Sequence, residues 1–302
     1  MRIFVTGGTG AIGRHALPAL VGEGHQVVAL ARSRAKADEI RAHGATPTDV
    51  SIFDRDGLTA AFAGHDAVLN LATALPPTKS AMRVSAWAPC ERLRTAGSAA
   101  VVDAAITAHV PRVLQESVVM IYADGGSAWL DEDAPVDRYP IARGNHAAEA
   151  SARRFAESGG IATVLRFGLF YGPGSVQSDE FLSMARRHVG FMPGRRDSYL
   201  SSIHLADAGA AVVSGLVAPG GTYNVVDDEP LTKSGYAQAV AAAAATRLWL
   251  RVPGRLGYLL GDRLTSLTRS VRASNRRFSE ATGWRPLYPS AREGYRATVR
   301  DG

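Results

Sequence analysis

The sequence predicts an α/β protein with a doubly wound parallel sheet, followed by a smaller C-terminal lobe. Two observations support this fold class. A glycine-rich turn joins a short apolar segment to a helical segment at the start of the chain, and strand-like segments then alternate with helical ones as far as Gly168. Such alternation is typical of a parallel sheet covered by helices on both faces.

The first turn has the composition of a dinucleotide-binding loop. Its glycines have the spacing at which the first permits a tight turn, the second admits a pyrophosphate and the third lets helix and strand pack closely. The helix that follows points its positive dipole end at the phosphates. We therefore predict a Rossmann fold that binds its cofactor through Gly7, Thr9, Gly10, Ala11, Ile12 and Gly13.

The remaining elements of this fold follow in order. Strands are predicted at Ile3–Val5, Gln26–Leu30, Ala67–Leu71, Arg112–Glu116 and Thr163–Phe167. Helices are predicted between them at Ala11–Val21, Arg34–Ala42, Leu58–Ala63, Cys90–His109 and Asn145–Glu157. Prolines then divide the chain into shorter pieces. We therefore predict a cofactor-binding domain at 1–171 and a mostly substrate-binding lobe at 172–302, with some segments returning to the main sheet.

The end of the second predicted strand indicates which cofactor is bound. Ala31 stands where NAD-binding chains usually carry an acidic residue for the ribose 2′-hydroxyl, and Arg32 follows it. A guanidinium group matches the geometry of a phosphate. The sequence therefore favours NADP(H) over NAD(H).

Composition narrows the class of partner. The 302 residues are 46% hydrophobic and 21% charged, which is ordinary for a globular protein. The net charge of +6 comes mostly from scattered arginines without aromatic interleaving, so nucleic acid is not expected as a partner. No apolar run is long enough to span a membrane and no residue spacing suits a metal site. The expected partner is a small-molecule substrate.

The single cysteine, Cys90, excludes an internal disulfide. The strand-turn-helix unit begins at Met1, so no signal peptide is expected before it. Both features predict a cytoplasmic protein.

Several segments, in this order and spacing, resemble the extended short-chain dehydrogenase/reductase family, also called the NAD-dependent epimerase/dehydratase family. They are 6–13, 49–50, 66–72, 110–113, 166–174, 202–207, 221–225 and 282–286. The resemblance implies further cofactor contacts from Asp49, Val50, Leu71, Ala72 and Phe167. It also implies a homodimer formed through the helices predicted at Cys90–His109 and Asn145–Glu157.

Catalysis in that family uses a tyrosine, a lysine four residues later, and a serine or threonine. Only three lysines are present, and none lies between residues 80 and 232. Aligning 147–149 with the family, which is the favoured register, places Ile141 at the tyrosine position and Asn145 at the lysine position. Aligning on Tyr139 instead places Arg143 at the lysine position. The hydroxyl position falls on Val118, one residue after Ser117. All the usual groups are therefore replaced.

Three functions remain open. The favoured one is an NADP(H)-dependent oxidoreductase acting on a small carbonyl, alcohol or secondary-metabolite substrate, with Tyr139 as proton donor, assisted by Ser117 and Arg143. The second is a non-redox cyclase, isomerase or dehydratase that keeps the cofactor and uses His146 or Glu116 as acid or base. The third is a non-catalytic NADP-binding sensor.

The substrate side carries fewer signals. Leu200 stands where relatives that bind nucleotide sugars often have an arginine, which favours a less charged substrate. Large side chains that could line an apolar pocket are Trp87, Trp129, Phe170, Tyr171, Phe191 and Met192.

Overall fold

A seven-stranded parallel sheet forms the centre of the protein. The computed structural model describes residues 1–77, 80–81, 83–190, 192–251, 254, 261 and 264–300. The sheet strands are β1 (Arg2–Thr6), β2 (Gln26–Leu30), β3 (Thr46–Thr48), β4 (Ala67–Asn70), β5 (Arg112–Val118), β6 (Ile161–Phe167) and β11 (Gly221–Val225). Their spatial order is β11-β6-β5-β4-β1-β2-β3, so the direction of winding reverses between β1 and β4. The doubly wound α/β fold is confirmed.

Short strand pairs complete the sheet structure outside this centre. They are formed by β7 (Leu169–Tyr171), β8 (Val189–Gly190), β9 (Tyr199–Leu200), β10 (Ser202–His204), β12 (Leu231–Thr232) and β13 (Leu250–Arg251). The pairs are β7 with β10, β9 with β12, and β8 with β13.

The helices follow the strands in chain order. They are α1 (Gly13–Gly22), α2 (Arg34–Ala42), α3 (Arg55–Phe62), α4 (Ala88–Arg92), α5 (Ser98–Thr107), α6 (Arg143–Glu157), α7 (Val176–Arg186), α8 (Leu205–Gly215), α9 (Lys233–Ala243), α10 (Thr265–Thr268), α11 (Arg276–Thr282) and α12 (Ala291–Arg300). A π-helical turn, Leu93–Gly97, joins α4 to α5, and a 3₁₀ turn, Pro140–Ala142, precedes α6.

Two apolar cores lie on opposite faces of the sheet, because successive strand residues point to opposite sides. Ile3 and Val5 face a core that includes residues of α1, α8 and α11, whereas Phe4 faces a core that includes residues of α3, α5 and α6. A third core, around the buried Tyr171, Tyr236 and Tyr295, joins α7, α9 and α12.

The predicted elements agree with the observed ones in type, and β2 and α2 have the predicted bounds. The long helix predicted at Cys90–His109 is instead two helices joined by the π-helical turn. The predictions omitted β3, which is short and contains Pro47. A proline is tolerated there because β3 lies at the sheet edge, where one side of the strand needs no hydrogen-bond partner.

The segment beyond residue 172 returns to the sheet at two places. β11 pairs in parallel with β6 at the sheet edge, and α8 packs closely against α1. A Cβ atom on Gly209 of α8 would lie 2.5 Å from the Cβ atom of His15, so a glycine is needed at this helix contact. The boundary at 171/172 stays a prediction.

His204 ends β10 and caps α8. Its Nδ1 accepts a hydrogen bond from the backbone N–H of Ala206 at 3.2 Å, which requires a neutral ring. The side chain is 4% exposed, and burial lowers the pKa of His204 to about 4 from its ordinary 6.5.

We predict that His204 makes the stability of the fold depend on pH. Between pH 6.5 and about 4 the unfolded chain binds a proton at this position and the folded chain does not. Stability therefore falls as the pH drops through this window, by up to about 3 kcal/mol. His204→Asn keeps an acceptor for the helix cap but cannot titrate, so its urea midpoint should fall less between pH 7 and pH 4.5. An equal fall in both proteins would contradict the prediction.

Candidate active site

The loops at the carboxyl ends of the sheet strands form one continuous edge. This edge contains the point where the winding reverses, between β1 and β4. In open α/β sheets a crevice opens there, since the connections on either side of it run in opposite directions. Most of the predicted cofactor residues lie on this edge: the 7–13 loop after β1, Arg32 after β2, Asp49 and Val50 after β3, Leu71 and Ala72 after β4, and Phe167 at the end of β6.

Gly7 and Gly13 lie where the loop is packed too tightly for a side chain. Gly7 has φ +75°, and a Cβ atom on it would lie 2.5 Å from the carbonyl oxygen of Leu71. A Cβ atom on Gly13 would lie 2.3 Å from the carbonyl oxygen of Gly7. The N–H of Gly10 donates to that same oxygen at 2.9 Å, which closes the turn directly before α1.

This geometry fits a dinucleotide. The loop brings bare backbone to the N-terminal end of α1, where a pyrophosphate is stabilised by free N–H groups and by the helix dipole. Gly10 and Ala11 are exposed, Thr9 is half-buried, and Ile12 is buried in the core beneath the loop.

The groups predicted to choose between cofactors lie beside the start of α2. Ala31 is buried, with its N–H bound to the carbonyl oxygen of Thr48 at 2.7 Å. Arg32 and Arg34 are exposed on either side of Ser33, whose hydroxyl caps α2. Asp49 is exposed near them at the end of β3. Two arginine side chains therefore border this part of the edge. The end of β2 contributes no carboxylate there.

The three predicted catalytic side chains bind separate partners. The Tyr139 hydroxyl donates to the carbonyl oxygen of Met120 at 2.9 Å, and burial raises the pKa of Tyr139 to about 12, although Arg269 lies against its ring. The Ser117 hydroxyl donates to Glu149 at 2.7 Å. Arg143 is largely exposed, 3.4 Å from Glu91. Their catalytic roles stay a prediction.

Glu149 belongs to a buried ion pair that fastens α6 to β6. Arg166 donates from two nitrogens to the two carboxylate oxygens of Glu149, at 2.8 and 2.9 Å. Burial opposes the charge of Glu149, but these hydrogen bonds keep its pKa below the ordinary value. Arg166 also donates to the Tyr122 hydroxyl at 2.9 Å. The Ser117 hydroxyl thus belongs to a buried hydrogen-bond network with Glu149 and Arg166.

A second buried cluster lies at the end of β5, next to the position that aligns with the family's lysine. Arg94, on the π-helical turn, donates from Nη2 to both carboxylate oxygens of Glu116, at 2.8 and 2.9 Å. Its Nη1 donates to Oδ1 of Asn145 at 2.7 Å. Burial opposes the charge of Arg94, but Glu116 holds the pKa of Arg94 above its ordinary value. Arg94 therefore stays protonated, and the carboxylate of Glu116 balances its charge.

Arg94 is the functional candidate that sequence reasoning missed. It lies four residues before Ser98 and seven before Val101, which places a charge on the buried face of this helical segment. Glu116 is likewise a charge within a buried strand. A buried arginine requires a buried carboxylate partner, so these two exceptions to the apolar pattern could have been paired from the sequence.

A cavity of about 110 Å³ opens beside this cluster. Its wall is mainly apolar and includes Trp87 and Ile141. The charged residues that line it are Glu91, Arg94 and Arg143. Ile141, which the favoured alignment predicts at the family's tyrosine position, contributes no hydroxyl group.

The remaining residues predicted for the active site and the substrate pocket also have defined surroundings. His146 binds the backbone oxygen of Asp137 through Nε2, and Glu116 is held by Arg94. Of the proposed pocket residues, Tyr171 is fully buried in the third core and Trp129 is half exposed. Phe191 lies outside the described residues.

The described residues contain neither a metal-binding cluster nor a membrane-spanning helix. No group of three or more His, Cys, Asp or Glu side chains in this part of the chain is arranged to hold a metal ion. Within the same residues, every helix is too short or too polar to cross a bilayer.

The fold and the glycine loop define a dinucleotide-binding protein of the short-chain dehydrogenase/reductase type. The family model of the NAD dependent epimerase/dehydratase family matches residues 3–191. The chain therefore belongs to this family, and membership supports a nicotinamide dinucleotide as its cofactor.

Known relatives agree with this assignment. The chain is 33% identical to the 3-diazoavenalumate denitrifying reductase of a Streptomyces species, over 97% of this chain and 99% of that protein. The human epimerase family protein SDR39U1, solved with NADPH, superposes with a TM-score of 0.83 at 23% identity over the full length of both chains. Thermus thermophilus UDP-glucose 4-epimerase, solved with NAD, gives 0.80 at 24% identity, covering 99% of this chain and 98% of that one.

We predict that Gly13→Ala removes cofactor binding. The new Cβ atom would collide with the backbone of Gly7 and Gly8, so the loop must shift away from α1. The dissociation constant of a nicotinamide dinucleotide, measured by fluorescence titration, should rise by about tenfold or more. Gly22→Ala is the matched control, because Gly22 lies on the same helix with no atom within 4 Å of its added Cβ. Unchanged binding by Gly13→Ala would contradict the prediction.

Proposed function

We propose that this protein is an NADP(H)-dependent reductase of a small molecule whose reacting atom accepts a hydride without a proton from the protein. One observation carries the proposal. Ile141 replaces the usual tyrosine, and the nearby Tyr139 hydroxyl is held by the carbonyl oxygen of Met120. Reduction of a ketone or aldehyde needs a proton donor at the oxygen, whereas a cationic acceptor needs none.

In the proposed function, separate groups of residues bind the cofactor and exclude water. The 7–13 loop holds the pyrophosphate, and Arg32 meets the 2′-phosphate of NADP(H). A bound NADPH supplies the hydride. Trp87 and Ile141 form an apolar wall that excludes water from the reacting atom.

A diazo compound is the substrate class that we propose. Reduction of an aryl diazonium ion forms one C–H bond and breaks the C–N bond, and N₂ leaves with that bond's electron pair. The reaction consumes a hydride and no proton. The name of the Streptomyces relative, a denitrifying reductase of a diazo compound, supports this class for a chain aligned over nearly its whole length.

The charge of Arg143 at the cavity supports the same substrate class. Arg143 lies at its border, largely exposed and only loosely paired with Glu91. We propose that it meets an anionic group, such as a carboxylate, on the substrate. Leu200, which is buried in β9, offers no charge for the diphosphate of a nucleotide sugar.

We predict that the protein oxidises NADPH with an aryl diazonium carboxylate and releases one N₂ per NADPH. It should not oxidise NADPH with the corresponding aldehyde. Nicotinamide absorbance and evolved gas are the measurements. Gly13→Ala is the control for the uncatalysed reaction, because it should lack the cofactor site. Turnover of the aldehyde alone would overturn the proposed substrate class.

Tyr139→Phe tests the role of the tyrosine. Since the proposed reaction takes up no proton, we predict that turnover of the diazonium substrate stays within about threefold of the unmodified protein. Removing the bond to Met120 should cost about 1 kcal/mol of stability. Loss of turnover without loss of folding would instead support Tyr139 as a proton donor.

Arg32→Ala tests the cofactor preference. We predict that the dissociation constant of NADPH rises by about tenfold or more, while that of NADH changes little, because only NADPH carries the 2′-phosphate. Arg41→Ala is the control, since Arg41 lies near the far end of α2 and pairs with Asp38. Equal weakening of both cofactors would contradict NADP(H) specificity.

A further inference from the structure

A cavity at the start of α9 is lined by positively charged and neutral polar side chains. It has a volume of about 50 Å³, and its polar lining residues are Arg196, Lys233, Ser234 and Gln238. Among the described residues that line it, none is an aspartate or a glutamate. The cavity lies in the segment 172–302, which carries the net positive charge of the chain. This distribution of charge favours an anion as the ligand.

Lys233 is a buried charge without a carboxylate partner. It is 2% exposed, and its Nζ donates to the carbonyl oxygen of Arg269 at 3.0 Å. Within the described part of the chain, no carboxylate lies at ion-pair distance from Nζ. Burial lowers the pKa of Lys233 to about 8, so the amine is still mostly protonated at pH 7. A buried charge that lacks a counter-charge is unfavourable, and an anion close to it would stabilise it.

Nζ of Lys233 lies beside the backbone wall of the cavity. A Cβ atom on Gly194 would lie 2.4 Å from Nζ. The N–H of Gly194 donates to the carbonyl oxygen of Gly254 at 2.8 Å, and Gly254 lines the cavity. Since Lys233 has almost no exposed surface, its charge acts on the cavity through the electric field and not through direct contact.

Arg196 is the lining residue that can contact an anion directly. It is exposed, and its guanidinium group forms no hydrogen bond or ion pair with another described residue. The neighbouring carboxylate of Asp197 receives hydrogen bonds from Arg195, at 2.6 and 3.0 Å. The Ser234 hydroxyl and the Gln238 amide, one helical turn apart on α9, offer further donors to the cavity.

Side chains, and not the dipole of α9, provide the positive charge of this cavity. The N–H of Lys233 already donates to the carbonyl oxygen of Ser198 at 2.8 Å, and the N–H of Ser234 donates to that of Arg196 at 3.0 Å. These bonds also fix the loop that carries Arg196 against the helix. An anion in the cavity is therefore bound by side chains that the fold already holds in position.

The size and charge of the cavity favour a phosphate group. One water molecule needs about 10–15 Å³ of such space, so the cavity has room for about four, which is close to the size of one phosphate group. A phosphate group carries about two negative charges near neutral pH, and this matches the two cationic side chains. A guanidinium group also suits the geometry of phosphate oxygens.

We propose that this cavity binds a phosphate group, with Arg196, Ser234 and Gln238 in contact with its oxygens and with Lys233 supplying a second positive charge nearby. The site shares no residue with the glycine loop or with the cavity beside Ile141. It therefore does not depend on the proposed NADP(H)-dependent reaction.

Titration calorimetry with inorganic phosphate at constant ionic strength tests the site. Arg196→Gln should raise the phosphate dissociation constant by about tenfold. Both proteins have the same glycine loop, so phosphate bound at that loop contributes equally to both and cancels in the comparison. Arg186→Gln is the matched control, because it removes an exposed charge of the same lobe outside the cavity lining. It should bind phosphate like the unmodified protein.

Lys233→Met separates ligand binding from folding. Methionine fills the buried space without a charge, so the phosphate dissociation constant should again rise by about tenfold. The urea midpoint measured without phosphate should not fall, because the variant removes a buried charge that lacks a counter-charge. Adding phosphate should raise the midpoint of the unmodified protein more than that of the variant.

The outcomes are distinct. A lysine with only a structural role would lower the urea midpoint in Lys233→Met and leave the affinity for phosphate unchanged, which would overturn the proposal. It is also overturned if the unmodified protein binds no phosphate, or binds it as weakly as Arg196→Gln. Acetate bound as tightly as phosphate would overturn the assignment to a phosphate group. If phosphate binds as proposed, tighter binding of glycerol 3-phosphate assigns the site to a phosphate ester, and weaker binding assigns it to the free ion.

Discussion

The site depends on the placement of α6, which two buried arginine–glutamate pairs control. Arg166 binds Glu149 on α6, and Arg94 bridges Glu116 on β5 and Asn145 on α6. Removing one partner of such a pair leaves an uncompensated buried charge, at a cost of about 3–5 kcal/mol. The helix is therefore held at a fixed distance from the sheet edge, and the cavity beside Ile141 owes its shape to that distance.

These ion pairs also limit which polar groups at the site are free to exchange a proton. The charges of Arg94 and Glu116 at the end of β5 neutralise each other, and Ile141, which the favoured alignment places at the tyrosine position, has no hydroxyl group. Relatives with a tyrosine and a lysine can exchange a proton as they move a hydride. The hydride acceptor proposed for this protein needs no such proton. The proposed chemistry thus differs from that of these relatives, although the glycine loop after β1 is of the kind that binds dinucleotides.

Local sequence patterns were sufficient for the cofactor loop. Gly7 and Gly13 lie just after the end of β1, and a Cβ atom added at either position would lie only 2.3–2.5 Å from a backbone oxygen. The catalytic candidates are different, because their roles depend on partners distant in the chain. Tyr139 meets Met120, and Arg94 meets Asn145, 51 residues away. Sequence spacing does not encode which of several polar groups a buried side chain will bind.

The sequence by itself determined the fold class, the glycine loop and the absence of any lysine between residues 80 and 232. Each of these depends on residue identity and short-range periodicity, which strand and helix geometry translate directly into position. Only the tertiary structure decided that the Ser117 hydroxyl donates to Glu149, that the Tyr139 hydroxyl donates to a carbonyl oxygen, and that Arg94 binds Asn145. The physical reason is desolvation: once buried, each polar atom must find a partner, and packing of the whole chain selects that partner.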